Sequence, residues 1–156
     1  MPGIYQIDNA RRLFEKLQRD WVAFYDNPSE DGLFDLLFPM YHLREWICPE
    51  GIASYRNKPD SVYSPEERLH CDLHSLPEYG VVRSLCNNAK HFSDRRDVPL
   101  RAAQYTGLRA GYGRCGDSLG ITHYVVDGVE IRDIFMVVYR VYFQYFDTKP
   151  LTDGTT

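Results

Sequence analysis

The four cysteines of this 156-residue chain, Cys48, Cys71, Cys86 and Cys115, include no C-x-x-C pair. Such scattered placement excludes a compact disulfide framework or a four-cysteine zinc site and predicts reduced thiols. No H-E-x-x-H occurs either. His70, Cys71 and His74 form H-C-x-x-H, with two imidazoles one helical turn apart, but no third ligand stands out beyond His42, His91 or Cys86. Neither a metal nor a cofactor is therefore assigned. The start of the chain lacks a charged-then-apolar leader, and the longest apolar run, 134–146, is interrupted by Arg140 and Gln144. A cytoplasmic protein without a membrane span is expected. Strong positive charge is lacking too: a net charge of −4 argues against wholesale coating of nucleic acid.

What is present is an ordinary globular balance, 44% apolar and 26% charged, with a high aromatic share carried by twelve Tyr and eight Phe. A chain of this length can bury a real core, and one domain spanning 1–156 is expected. So many aromatic side chains imply either a large aromatic core or an aromatic interface. The charge is unevenly spread. From Arg83 to Arg114 the balance is +5, leaving −9 for everything else, so this segment is a candidate anion surface.

Apolar residues at three- and four-residue steps predict helices over about 9–25, 31–47, 65–74 and 77–92. The first is capped by Asp8 or Asn9 and buries Ala10, Leu13, Phe14, Leu17, Trp21 and Phe24 or Tyr25. In the second, Leu36, Leu37, Met40, Leu43, Trp46 and Ile47 point inward, and Pro39 predicts a kink or a restart. Ser64-Pro65-Glu66-Glu67 is a capping-box start for the third. A β and glycine-rich excursion over 98–132 follows, with a possible strand at 98–105. Its Gly111-Tyr112-Gly113-Arg114-Cys115-Gly116 matches G-x-G-x-x-G, but a β-branched strand rather than a helix comes next, so it reads as a flexible loop. Strands over 121–132 are joined by Asp127-Gly128, the signature of a type I′ hairpin. The last helix, 134–147, capped by Asp133, leaves only Asp133, Val137, Arg140, Gln144 and Asp147 on a mostly polar stripe. Its surplus aromatic surface implies a central position or a homodimer seam, and the tail after Pro150 should fray. The expected fold class is mainly α: a helical bundle of about four main helices with a small β-hairpin excursion before the C-terminal helix.

The helix over 77–92 is the best candidate for chemistry. Val82, Leu85, Cys86, Ala89 and Phe92 form its core side, and Arg83, Asn87 and His91 recur at four-residue steps on a neighbouring side. A fixed cation, an amide and a titratable imidazole are thus within reach of one another. Arg95, Arg96, Arg109 and Arg114, with the backbone N–H groups of the glycine-rich loop, form a candidate phosphate site. His42 and Trp46 lie one turn apart, a spacing that reads first as a hydrogen-bonded core histidine.

Tyr41-His42-x-x-x-Trp46 and Asn87-x-x-Lys90-His91-Phe92 resemble a paired signature of bacterial and phage proteins of similar size, a group loosely similar to the HEPN superfamily of helical-bundle proteins. Many of that superfamily are RNases of toxin and antiphage systems. The spacing from Arg83 to His91 is longer than in the HEPN pattern. The resemblance implies a metal-independent ribonuclease or RNA-binding protein, acting as a dimer. On it His91 would be the general acid or base on a ribose 2′-hydroxyl, and Arg83 with Lys90 would stabilise the developing phosphorane charge. Asn87, on the same stripe, joins the candidate catalytic group, and Lys90, Arg109, Arg114 and His42 are candidate substrate contacts. The alternative is a non-catalytic helical interaction module. Two placements follow: the helices bearing His42 and His91 pack side by side, and a homodimer forms through the C-terminal helix.

Overall fold

Asn9 accepts a hydrogen bond from the Arg12 backbone N–H and so starts α1, Ala10–Asp26. The computed structural model describes residues 6–90 and 101–148. Leu13, Phe14, Leu17, Trp21 and Phe24 of α1 are buried, as their spacing requires. Ser29 caps α2, Glu30–Ile47, which continues through Pro39 as one helix. The proline removes one intrahelical donor, yet Leu36, Leu37, Met40 and Leu43 on either side of it are buried, at roughly 1.5–3 kcal/mol per large apolar side chain. That burial outweighs the local loss, and of the two outcomes expected at Pro39, a kink or a restart, the restart does not occur.

Two single 3-10 turns, Gly51–Ser54 and Asp60–Val62, bridge to α3, Pro65–Ser75. Both halves of its capping box form: Glu67 N–H donates to Ser64 Oγ, and Ser64 N–H donates to the Glu67 carboxylate. α4 spans Pro77–Lys90. Strands β1 (Ala102–Thr106), β2 (Thr122–Val126) and β3 (Val129–Glu130) make an antiparallel sheet in the order β1-β2-β3. Between β2 and β3, Asp127 and Gly128 have φ of 49° and 82°, the two positive values that a type I′ turn needs. α5, Ile131–Thr148, follows at once.

The described residues are therefore mainly helical, a five-helix bundle with a small sheet before the C-terminal helix. α5 is its axis, touching the other four helices together with β2 and β3. Much of its aromatic surplus is absorbed there, although Phe143 stays exposed: Phe146 stacks on Phe14 at 4.4 Å, Tyr139 stacks on Trp21 at 5.7 Å, and the buried Tyr142 hydroxyl donates to Met40 O at 3.0 Å. No helix among the described residues is long and apolar enough to cross a membrane.

Three expectations need correction. Trp46 is not inward but 37% exposed, because the buried stripe of α2 runs through Met40, Leu43 and Ile47 and leaves Trp46 on its flank. Ala89, expected on the core side of α4, is exposed, while Tyr79 is buried near its start. Asp133 does not cap α5, which opens two residues earlier. The Glu130 carboxylate takes the Arg132 backbone N–H at 2.9 Å instead, and Asp133 falls in the first turn, where a negative charge suits the helix dipole. Expectations for Phe92, Arg95, Arg96, the stretch 98–100 and the tail after Pro150 lie outside the described residues.

Candidate functional site

The expected neighbours α2 and α4 do pack together. Tyr79 of α4 donates from its hydroxyl to Tyr41 O at 2.7 Å, and the Arg44 guanidinium lies 4.5 Å over the Tyr79 ring. On the outer side of α4, Arg83 is exposed and Asn87 half-buried one turn later, so these two share a face. Lys90 is the last residue of that helix, and His91 lies outside the described residues. His42 sits across on α2, half-buried, with Nδ1 2.7 Å from Glu45 Oε2 and its ring 4.6 Å from that of Phe38.

Of the arginines proposed for a phosphate site, Arg109 and Arg114 are described, and they make different contacts. Arg109 is exposed and stacks 4.3 Å over the Tyr105 ring, which stacks on Tyr112 at 5.9 Å. Arg114 is turned into the protein. Its two terminal nitrogens donate to Glu130 Oε2 at 2.8 Å and to Asp133 Oδ1 at 2.5 Å. Burial alone would lower its pKa, but those carboxylates raise it above the ordinary value. The loop read as flexible is held by these ion and ring contacts. Its G-x-G-x-x-G letters precede β2 and open no helix, as expected.

Arg114 belongs to a buried ionic cluster that local sequence patterns did not announce. Arg132 and Glu130 are fully buried side chains, and Arg132 Nε donates to Glu130 Oε1 at 2.9 Å. The Arg132 terminal nitrogens reach both oxygens of Asp117, at 2.8 and 3.0 Å, and one also donates to Tyr25 O at 3.0 Å. This paired fork, more than the opposing burial, holds the Asp117 carboxyl down at about 2. Beside it lies His123, fully buried, with Nδ1 4.0 Å from Glu130 Oε1 and its ring 5.9 Å from that of Tyr112. Among the described residues neither ring nitrogen of His123 has a hydrogen-bond partner. The burial of His123 follows from strand parity, since it shares the inner face of β2 with the buried Val125 two residues on. Arg132 carried no such signal. The cluster joins the end of α1, the loop after β1, the sheet and α5, with its charges opposed to one another rather than turned to solvent.

The two imidazoles of H-C-x-x-H stack at 6.4 Å but differ in burial. His70 is buried, its Nδ1 2.9 Å from the Tyr55 hydroxyl, whereas His74 is exposed. Burial, with Arg44 and His74 nearby, pushes His70 down to about 4. Among the described residues no three His, Cys, Asp or Glu side chains converge as metal ligands.

The remaining feature is a surface. Phe34, Phe38, His42 and Trp46 follow four-residue steps along α2, and Phe34 and Phe38 are 61% and 51% exposed. With Trp46 they make an apolar stripe of three rings on one helix, next to the half-buried His42. Compared with family models, curated proteins and solved structures, the chain matches none of them.

Proposed function

We propose that the chain acts by binding another protein, as a helical interaction module that docks through the outer face of α2. The observation that carries this reading is the exposure of Phe34, Phe38 and Trp46 at helical spacing on one element. Large rings leave water only where something covers them, and aromatic anchors dominate binding energy at protein interfaces. The ionic cluster supports the same reading from the other side, since its side chains are spent on each other and hold the loop and sheet against the bundle. The scattered cysteines, with no C-x-x-C pair, support work in the reducing cytoplasm. Self-association through α5 belongs to this reading too, supported by the exposed ring of Phe143, and light scattering at tens of micromolar reports it.

A photo-crosslinking residue placed at Phe38 tests the proposal in the cells that make the protein. A discrete crosslinked protein is expected from position 38 and none from a control at the exposed Arg56, between the two 3-10 turns; equal yields at both positions overturn it.

The exposure of Arg83, one turn from Asn87, favours a second reading: HEPN-like, metal-independent RNA binding or cleavage, in which His91 exchanges the proton and Arg83 with Lys90 stabilises the phosphorane. Purified protein and its His91→Ala variant, each incubated with total RNA, separate the readings. Cleavage lost in the variant supports catalysis, and identical RNA patterns remove it.

A further inference from the structure

Resting on the docking role of α2, we propose that its occupant is a cationic amphipathic helix of a partner protein. The stripe sets the shape. From Phe34 to Trp46 a helix rises about 18 Å, the length of three to four turns of a partner helix laid alongside. The middle of the stripe is already fixed: the His42 ring sits between Phe38 at 4.6 Å and Tyr41 at 4.8 Å, and its Nδ1 meets Glu45 at 2.7 Å. A partner need not freeze those side chains on arrival, which lowers the entropic cost of docking.

Charge sets the chemistry. Every exposed ionised residue of α2 is a carboxylate: Glu30, Asp31, Asp35 and Glu45. The only Lys or Arg in this helix, Arg44, is buried on the other side against Tyr79. Glu30 and Asp31 lie in the first turn, where they complement the helix dipole. Asp35 and Glu45 have no such role, and they flank the aromatic stripe near its two ends. A helix offering apolar residues at i, i+4 and i+8, with Lys or Arg on both borders, fits rings and carboxylates together. The same rim works against other occupants. Phosphate backbones and anionic lipid headgroups meet like charge, and a second copy presenting this face in a two-fold dimer sets carboxylates against carboxylates.

The full chain, labelled with nitrogen-15, is titrated with three synthetic 18-residue peptides: an amphipathic Leu/Lys helix, its Leu/Glu counterpart, and a scrambled Leu/Lys peptide without helical periodicity. The Leu/Lys helix is expected to shift the amide resonances of 34–46 with a dissociation constant of tens of micromolar. Phe38→Ala should weaken it at least tenfold, and Asp35→Asn with Glu45→Gln about tenfold while flattening its salt dependence. Both variants keep the fold, because the altered side chains are on the surface, and circular dichroism verifies this. Equal binding of the Leu/Glu or scrambled peptide overturns the cationic-helix assignment while leaving α2 as a docking face. Concentration-dependent broadening of the same amides in protein alone assigns the face to a second copy and likewise overturns it. If no peptide and no self-association perturbs 34–46, the assignment and the docking role fall together.

Discussion

Replacing Arg132 with methionine removes the hub of the buried cluster while conserving much of its volume. The loss can be worked from four hydrogen bonds, one to Glu130, two to Asp117 and one to Tyr25 O, all made by a fully buried guanidinium. Arg114 still covers Glu130 in the variant, but Asp117 keeps only the Arg114 backbone N–H. Removing one partner of a buried pair typically costs about 3–5 kcal/mol, because the other charge stays buried without it. That is a large share of the ~5–15 kcal/mol by which a domain is stable. Arg132→Lys, which retains charge but not the two-pronged geometry, should lose roughly half as much and serves if the methionine variant does not fold. Urea unfolding at pH 7, followed by the fluorescence of the buried Trp21, reads both.

The same variant has an acid signature. Asp117 is held at about 2 against an ordinary 3.8, so its stabilisation is complete above 3.8 and is lost as pH falls through 3.8 towards 2. The amount at stake is about 2 kcal/mol, and it disappears from the pH profile of Arg132→Met. A methionine variant within 1 kcal/mol of the parent, with an unchanged acid limb, would refute the view that this cluster locks the excursion to the bundle.

A second acid step belongs to His70, which burial holds at about 4: between about 6.5 and 4 the unfolded chain takes up a proton that the folded chain does not. Stability should fall by on the order of 3 kcal/mol as pH drops across that window, and His70→Gln should flatten the profile there in equilibrium unfolding. Among the thiols, Cys115 is exposed, Cys71 half-buried, and Cys48 and Cys86 buried. A thiol reagent under native conditions should therefore modify Cys115 first, with Cys48 and Cys86 reacting only on unfolding; mass spectrometry of labelled peptides checks the order.

Local sequence determined much of the architecture, because its signals act over one or two turns. Asn9 and the Ser64–Glu67 capping box start helices through side chains three residues from the N–H groups they satisfy. Asp127-Gly128 closes a hairpin because those two residues tolerate positive φ. Helical periodicity fixed the buried faces of α1 and α5. It did not fix the flank of α2, where Trp46 stands near enough to the inward stripe to be counted in it, and only the packing of the neighbours left that ring outside. Composition saw an aromatic surplus but not its division between the core around α5 and the outer face of α2. The basic segment looked like one anion surface because its arginines are close in sequence. The tertiary structure gives two of them different partners, sending Arg114 inward to Glu130 and stacking Arg109 on Tyr105. The arginine cluster itself was beyond any local reading: Arg132 meets Asp117 15 residues away and Tyr25 107 residues away. Burying a guanidinium is favourable only when its carboxylates arrive from other elements, and that condition exists only once the chain has folded.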